Sequence, residues 1–223
     1  MTETIMMHDL RVRSCPACHH LEQRMAGYFA ELQGLLSRSE DARSEYADEG
    51  GLCPLHTWQL AQFSSPRGIA RGHAAIMRKL ADRLARPGET GVAGEASSVL
   101  QNGADGCRVC RFLKDEEARY IGAFHVFLEH VENFESYMRS HGLCLRHLSQ
   151  VLDGLLDKVR KERLVRLAAE RLREIGENMI RYDQKIEELK RGQLTRDEKD
   201  AYRRGIVMLA GERVVFNPFL KGN

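Results

Sequence analysis

The sequence predicts an all-α protein built from two similar helical metal-binding halves and a C-terminal helical extension. Three observations support this prediction. Apolar residues recur at spacings of three and four along most of the chain, which is the period of one helix face. Strand-like alternation of apolar and polar residues is nearly absent. One pattern of cysteine and histidine occurs twice, at an offset that divides most of the chain into two similar parts.

All six cysteines belong to this repeated pattern, and each copy adds one histidine. The first copy is Cys15-Pro-Ala-Cys18, then 34 residues, then Cys53-Pro-Leu-His56. The second is Cys107-Arg-Val-Cys110, then 33 residues, then Cys144-Leu-Arg-His147. Three thiolates and an imidazole (a CCCH set) are a complete ligand set for a tetrahedral metal ion. We therefore predict one ion within each sequence copy, bound by the eight residues of the two patterns.

The spacing of the ligands predicts that each pair lies on the first turn of a helix. Cys15 and Cys53 are each followed by proline, which is favoured at the first helical position. Residues three apart share a helix face there. The free N–H groups of a helix start favour negative charge and lower the pKa of a thiol. Each predicted site would then consist of two helix starts that meet at one ion.

The chain is predicted to have four segments. Residues 1–86 form a first CCCH helical repeat, and residues 87–106, rich in Gly, Ala and Ser, form a linker. Residues 107–156 form the core of the second CCCH repeat, and residues 157–223 form a long helix and a C-terminal extension.

The elements of the first half follow from helical periodicity and from breaks. A helix is predicted from the first cysteine pair to about Leu36, and a short one from Ser39 to the glycines at 50 and 51. A helix from Pro54 to Phe63 precedes a break at residues 64–68. Residues 69–84 are then helical again.

The second half repeats this plan and adds charged helices. Residues 111–140 are predicted as one long helix, and residues 144–156 as the next. Residues 157–191 form a long amphipathic helix with mixed charge. Thr195 and Glu198 have the form of a capping box, which predicts a last helix through Leu209. The tail after Gly211 is predicted to be extended.

Zinc is the predicted ion, because three cysteines and one histidine are a standard closed structural set. An iron–sulfur cluster is the alternative, since histidine can replace cysteine in such clusters and the gap between ligand pairs is long. Reduced buried thiols or two disulfides would leave His56 and His147 unexplained. A thioredoxin-like role would require a βαβ context, and haem attachment at Cys15-Pro-Ala-Cys18-His19 would leave the later ligands unexplained.

For several further residues we favour interpretations that involve no direct binding of metal. We expect His19 and His20 to form a solvated helix start, with a role as an alternative ligand left open. Trp58 is predicted to cover the metal site or the core. A solvated helix face is favoured, over a second metal site or a supporting role, for a group of carboxylates and imidazoles: Glu116, Glu117, His125, His130 and Glu132.

Charge and hydropathy exclude several classes of protein. The net charge is +2, and two zinc ions bound by six thiolates would bring it to about zero, which does not favour a dedicated nucleic-acid binder. No run of 18 apolar residues and no secretory signal is evident, so a cytoplasmic protein is predicted. Because all four positions of each ion would be filled by protein, we expect sites without catalytic chemistry, in a protein that is not an enzyme.

The pattern C-P-x-C followed by G-L-C-x-x-H, a long helix, and the segment from Asp197 to Gly211 resemble an uncharacterised bacterial family. That family is known only as a domain of unknown function with paired cysteine motifs. The resemblance covers most of the chain. It implies a cytoplasmic, helical bacterial protein and no particular activity.

Three functions are consistent with the sequence. The first is a non-enzymatic interaction or adaptor module held together by structural zinc, with an unidentified protein partner. The second is an iron–sulfur protein for electron transfer, or an accessory to an anaerobic enzyme. The third, disfavoured by charge, is a nucleic-acid-binding regulator. The apolar stripe of residues 157–191 also predicts a seam for a homo-oligomer.

Overall fold

The computed structural model describes residues 2–85, 106–188 and 191–212. Within these ranges the chain forms α-helices, one short 3-10 turn at Arg191–Gln193 and no β-strand, so the all-α prediction is confirmed. The helices in chain order are α1 (Glu3–Asp9), α2 (Pro16–Arg38), α3 (Glu40–Asp48), α4 (Pro54–Phe63), α5 (Pro66–Ala85), α6 (Arg108–Glu129), α7 (Val131–Met138), α8 (Leu145–Gly154), α9 (Lys158–Glu187) and α10 (Arg196–Ala210).

The helices of the first half begin at residues that cap them. The Ser39 hydroxyl accepts a hydrogen bond from the N–H of Ala42 at 3.1 Å and starts α3. Helix α5 starts earlier than predicted, because the Ser65 hydroxyl accepts from the N–H of Gly68 and Pro66 takes the first helical position. The break predicted at residues 64–68 is therefore shorter. Helix α1 was not predicted.

The long helix predicted for residues 111–140 is two helices. Helix α6 ends at Glu129, and His130 has an extended backbone, with φ −80° and ψ 128°, before α7 begins at Val131. One helical turn cannot contain an extended residue, so the direction of the chain changes here. The linker predicted at residues 87–106 and the extended tail lie almost wholly outside the described residues.

The charged helices of the C-terminal part have the predicted caps. Asp157 caps α9 through the N–H of Arg160 at 3.1 Å, and Thr195 and Glu198 form the capping box of α10. Helix α9 packs against α10. Leu164 and other residues of the predicted stripe are buried, whereas Val159 is 66% exposed.

The described chain divides into two compact units. The terminal unit combines the residues up to Glu22 with those from Glu116 onward, and the central unit runs from Gln23 to Asp115. This division cuts across the sequence segments predicted above, because its boundaries fall inside α2 and α6. Each of these two helices therefore has its first turn in one unit and most of the remaining turns in the other.

Candidate metal centres

Each of the helices α2, α4, α6 and α8 begins directly after a cysteine of the repeated pattern. The second residue of each pair lies in the first turn, three positions further on. The backbone confirms the helix starts, because the carbonyl of each leading cysteine accepts the first intrahelical hydrogen bond. These bonds are His19 N–H to Cys15 (3.0 Å), Thr57 N–H to Cys53 (2.9 Å), Arg111 N–H to Cys107 (3.1 Å) and Leu148 N–H to Cys144 (2.8 Å).

The terminal site is formed by the starts of α2 and α8. It brings together Cys15, Cys18, Cys144 and His147, all buried. The Nδ1 atom of His147 lies 3.3 Å from Cys15 Sγ, 3.5 Å from Cys18 Sγ and 3.2 Å from Cys144 Sγ. The sulfurs of Cys18 and Cys144 are 3.8 Å apart.

The central site is formed by the starts of α4 and α6. It brings together Cys53, His56, Cys107 and Cys110, of which only Cys110 is partly exposed. The Nδ1 atom of His56 lies 3.2 Å from Cys53 Sγ, 3.4 Å from Cys107 Sγ and 3.3 Å from Cys110 Sγ. The sulfurs of Cys53 and Cys110 are 3.8 Å apart.

The eight residues are therefore those of the predicted set, but the prediction of one complete site within each sequence copy is wrong. The Cys-x-x-Cys pair of the first copy meets the Cys-x-x-His pair of the second copy. The Cys-x-x-Cys pair of the second copy meets the Cys-x-x-His pair of the first copy. Local sequence determines the geometry of each pair on its helix start. It does not determine which two starts meet, since α2 and α6 each begin in a different unit from most of their length.

The distances within each group fit one tetrahedral ion. Zinc bonds of about 2.3 Å to sulfur and about 2.0–2.1 Å to nitrogen place two sulfurs about 3.8 Å apart, and a sulfur and a nitrogen about 3.6 Å apart. The sulfurs of Cys18 and Cys144 are 3.8 Å apart, as are those of Cys53 and Cys110, and the sulfur–nitrogen distances are 3.2–3.5 Å. All four donor atoms of each group lie within 4.8 Å of one another. The donor atoms thus lie where a single four-coordinate ion would hold them, after a slight expansion at the imidazole.

The electrostatics of both groups favour a cation. In the terminal site the side-chain contact with Cys15 lowers the pKa of Cys144. The hydrogen bond to Cys144 in turn raises the pKa of Cys18. In the central site Cys110 lowers the pKa of Cys107, and its own pKa is raised by the same contact. Three thiolates at this distance repel each other, so full ionisation requires a compensating positive charge.

A carboxylate orients the histidine of the terminal site. Glu117 Oε1 lies 3.1 Å from His147 Nε2, and both carboxylate oxygens accept hydrogen bonds from Arg146 at 3.1 Å. Burial would raise the pKa of Glu117, but its contacts with His147 and Arg146 lower it to about 2. A carboxylate behind a metal-binding imidazole fixes its tautomer and raises its basicity. Glu117 is thus placed for a supporting role, and the solvated helix face that we favoured for it is wrong, since its side chain is 12% exposed.

In the part of the chain that the structure describes, no such carboxylate contacts the histidine of the central site. His56 Nε2 is buried and has no hydrogen-bond partner in the described part of the chain. The ring of Phe29 lies 6.4 Å from that of His56, so this side of the site is apolar. The two sites therefore share a ligand set but differ in what surrounds the imidazole.

Substitution Glu117→Gln should weaken metal binding at the terminal site by about 10–100-fold, the usual cost of losing such a partner. The glutamine keeps the shape of the side chain but removes the negative charge that faces His147. Competition with a chelator of known affinity measures the effect, and the central site is the internal control. Equal retention of both ions in the variant would contradict the supporting role.

The Gly-Leu-Cys sequence before each histidine has the same backbone geometry in both copies. Gly51 has φ 80° and Gly142 has φ 81°, in the left-handed region that favours glycine. The cysteines that follow also match, with φ −63° and ψ 162° at Cys53 and φ −65° and ψ 161° at Cys144. The repeated glycine turns the chain so that the cysteine carbonyl can start the helix.

A tyrosine five residues before each glycine belongs to the same motif and was missed from the sequence. Tyr46 and Tyr137 are almost completely buried. The Tyr137 hydroxyl accepts a hydrogen bond from the N–H of Leu143 at 3.2 Å, and Tyr46 lies against Gly51. The identical spacing in both copies was the signal available. Burial raises the pKa of both phenols, so neither ionises near neutral pH.

Substitution Gly51→Ala should destabilise the protein more than Gly142→Ala. Both impose the left-handed strain of about 1–2 kcal/mol on a residue with a Cβ. A Cβ at position 51 would also lie 2.9 Å from Ile76 Cδ1, whereas at position 142 the nearest atom is 3.8 Å away. Gly122→Ala, with open space around it, is the control and should not destabilise. Thermal unfolding measures all three; an equal effect of the first two would refute the role of Ile76.

Two predictions about neighbouring residues are wrong. Trp58 does not cover the site or the core but is 74% exposed, because α4 turns His56 and Leu60 inward and places position 58 on the other face. His20 is not part of a solvated helix start: it is 7% exposed, and its ring lies 4.7 Å from that of Tyr120.

The remaining candidates lie apart from the two sites. His125 contacts the carbonyl oxygen of Val151 through Nε2 at 2.9 Å. His130 and Glu132 are exposed at the start of α7. The solvated face predicted for these residues is found at His130 and Glu132, whereas His125 is half-buried.

The fold and the two groups define the class of this protein: it is all-α, with two buried CCCH sets that could each hold a metal ion. The model of the Family of unknown function (DUF6062) matches residues 82–214, more than half of the chain, and the chain belongs to this family. The expected resemblance to a family without known function is confirmed. The matched stretch contains one half of each site.

The chain has no significant match among curated proteins or solved structures. None of the described helices has both the length and the apolar character needed to cross a membrane.

Proposed function

We propose that the protein is a non-enzymatic interaction or adaptor module of the cytoplasm, in which two structural zinc ions join helix starts that are distant in sequence. The observation that carries this proposal is the set of donor distances, which match the edges of a tetrahedron around one ion. The terminal ion joins α2 to α8 across 126 residues, counted from Cys18 to Cys144. A bond of this kind stabilises a fold that local helix propensity alone cannot specify.

Closed coordination supports a structural role. Four protein ligands fill each tetrahedron, and a catalytic zinc ion keeps one position for water or substrate. The apolar packing around His56 and the burial of the terminal group also exclude water from the ion. We therefore expect neither site to perform chemistry by itself.

The same distances favour a single ion over an iron–sulfur cluster. The irons of a cluster each hold their own protein ligands, so the ligands of a cluster are spread more widely than those of one ion. The four donor atoms of each group lie within 4.8 Å of one another, which is too close for that arrangement. An iron–sulfur protein for electron transfer remains the second candidate, and a nucleic-acid-binding regulator is disfavoured by a net charge of +2.

Elemental analysis of protein purified without oxygen tests this proposal. We expect two zinc ions per chain, no labile sulfide and no visible absorption band. Iron with sulfide, or a coloured protein, would overturn the structural-zinc proposal and support the iron–sulfur alternative. Native mass spectrometry of the intact chain gives the number of ions independently.

The partner of such a module would be a protein, and exposed apolar side chains support this part of the proposal. In the central unit Trp58 is 74% exposed and Phe63 is 52% exposed, both on α4. In the terminal unit α9 exposes Val165 and Ile180, at 50% and 60%.

The proposed homo-oligomer through residues 157–191 would use this second surface, although part of the predicted stripe is covered by α10. Light scattering of the purified chain measures the oligomeric state.

A further inference from the structure

A third cluster of potential ligand atoms lies at the junction of α1 and α2, apart from the eight sulfur and imidazole ligands. His8 and Asp9 end α1, and His19 belongs to α2. His8 Nδ1 lies 3.7 Å and His19 Nε2 4.0 Å from Asp9 Oδ1. One donor atom from each of the three residues falls within 4.8 Å of the other two.

Two polar atoms of this group, Asp9 Oδ2 and His19 Nε2, are buried without a hydrogen bond among the described residues. Asp9 as a whole is 4% exposed. The distances of 3.7 Å and 4.0 Å from the two imidazoles to Asp9 Oδ1 are too long for direct hydrogen bonds. Buried polar atoms without partners are rare in native proteins and often indicate an ion or a water molecule.

The composition of the group indicates which ligand it would take. Two imidazoles and one carboxylate are the set that binds divalent transition metals such as zinc or ferrous iron and leaves coordination positions open. This set differs from the thiolate-rich sites, which are closed. The side chain of His8 is 71% exposed, whereas that of Asp9 is 5% exposed, so the open positions would face solvent on the side of His8.

Two residues lie in a row behind the carboxylate of the group, at ion-pair distances longer than direct hydrogen bonds. His20 Nδ1 lies 3.5 Å from Asp9 Oδ2, and His20 Nε2 lies 3.7 Å from Glu116 Oε2. Glu116 also forms an ion pair with Arg119. This chain of partners resembles the outer contacts that orient metal ligands in proteins. It gives a reason for the burial of His20 and Glu116, which the CCCH sites do not use.

We propose that His8, Asp9 and His19 form a third, open site for a divalent transition metal, with His20 and Glu116 as positioning residues. The site lies within the terminal unit. His19 directly follows Cys18 in sequence. The start of α2 therefore contributes one ligand to a closed CCCH site, through Cys18, and one ligand to the proposed open site, through His19. The proposal does not depend on the identity of the ion in the CCCH sites.

Cobalt(II) titration of the full chain tests the third site after both CCCH sites have been filled with zinc. We expect one further equivalent of cobalt to bind, with a weak absorption spectrum typical of nitrogen and oxygen ligands and without a thiolate-to-cobalt band. Release of zinc is followed in the same samples, because displacement at a CCCH site would produce the thiolate band. No third equivalent, or a third equivalent with thiolate ligands, would overturn the proposal.

Variants locate the additional ion. His8→Ala alters an exposed side chain and should abolish the third equivalent while leaving two zinc ions bound. Asp9→Asn, which keeps the side-chain shape, should do the same, and His20→Ala should weaken cobalt binding by about 10–100-fold. His130→Ala, at an exposed histidine, is the matched control. Undiminished cobalt binding by the His8 variant would show that the ion binds elsewhere and would overturn the assignment.

Discussion

Removal of both ions should unfold the protein or leave it without fixed tertiary packing. A structural zinc ion supplies an apparent folding free energy of about 10–16 kcal/mol, and a typical domain has a net stability of only about 5–15 kcal/mol. The loss would be large here because each group buries cysteine thiols and a histidine that need a cation. Far-UV circular dichroism and thermal unfolding, before and after treatment with a strong chelator at neutral pH, measure the effect.

Two controls make this experiment specific. Addition of zinc after removal of the chelator should restore the helical signal and the melting temperature, which excludes irreversible damage. Acidification should have the same effect as the chelator, because protons compete with the metal for thiolates and imidazole. If helicity and melting temperature were unchanged after verified loss of metal, the structural role would be refuted.

Two variants, each lacking four of the eight ligands, should show directly that each site combines ligand pairs from both sequence copies. The variant that lacks Cys15, Cys18, Cys144 and His147 removes only the terminal site, so it should retain one ion per chain. The variant that lacks Cys15, Cys18, Cys53 and His56 removes half of each site and should retain none. Cysteines are replaced by serine and histidines by alanine, and native mass spectrometry counts the ions.

The two variants are matched, because each loses three cysteines and one histidine. They differ only in which Cys-x-x-His pair is removed together with the first Cys-x-x-Cys pair. A site within each sequence copy would give the opposite result, with one ion retained by the second variant and none by the first. That outcome would contradict the exchanged arrangement, whichever ion is bound.

Local features of the fold were predictable because they depend on residues close together in sequence. The capping box at Thr195, the prolines after Cys15 and Cys53, and the spacing of three between ligands each determine a helix start by local hydrogen bonds and sterics. For the same reason the sequence was enough to single out the eight candidate ligands. Where a local signal was overlooked, as at Ser65 and Tyr46, it was present in the sequence.

The pairing of the ligands was decided by tertiary structure alone. Both Cys-x-x-Cys turns and both Cys-x-x-His turns offer nearly identical half-sites, as the backbone angles of Cys53 and Cys144 show, so local chemistry gives no preference between partners. The exposure of Trp58 and the burial of His20 beside Asp9 have the same origin. Each depends on which distant helix packs against that position. Burial of side chains between helices stabilises one arrangement, and the residues near that position in the sequence do not indicate which arrangement it is.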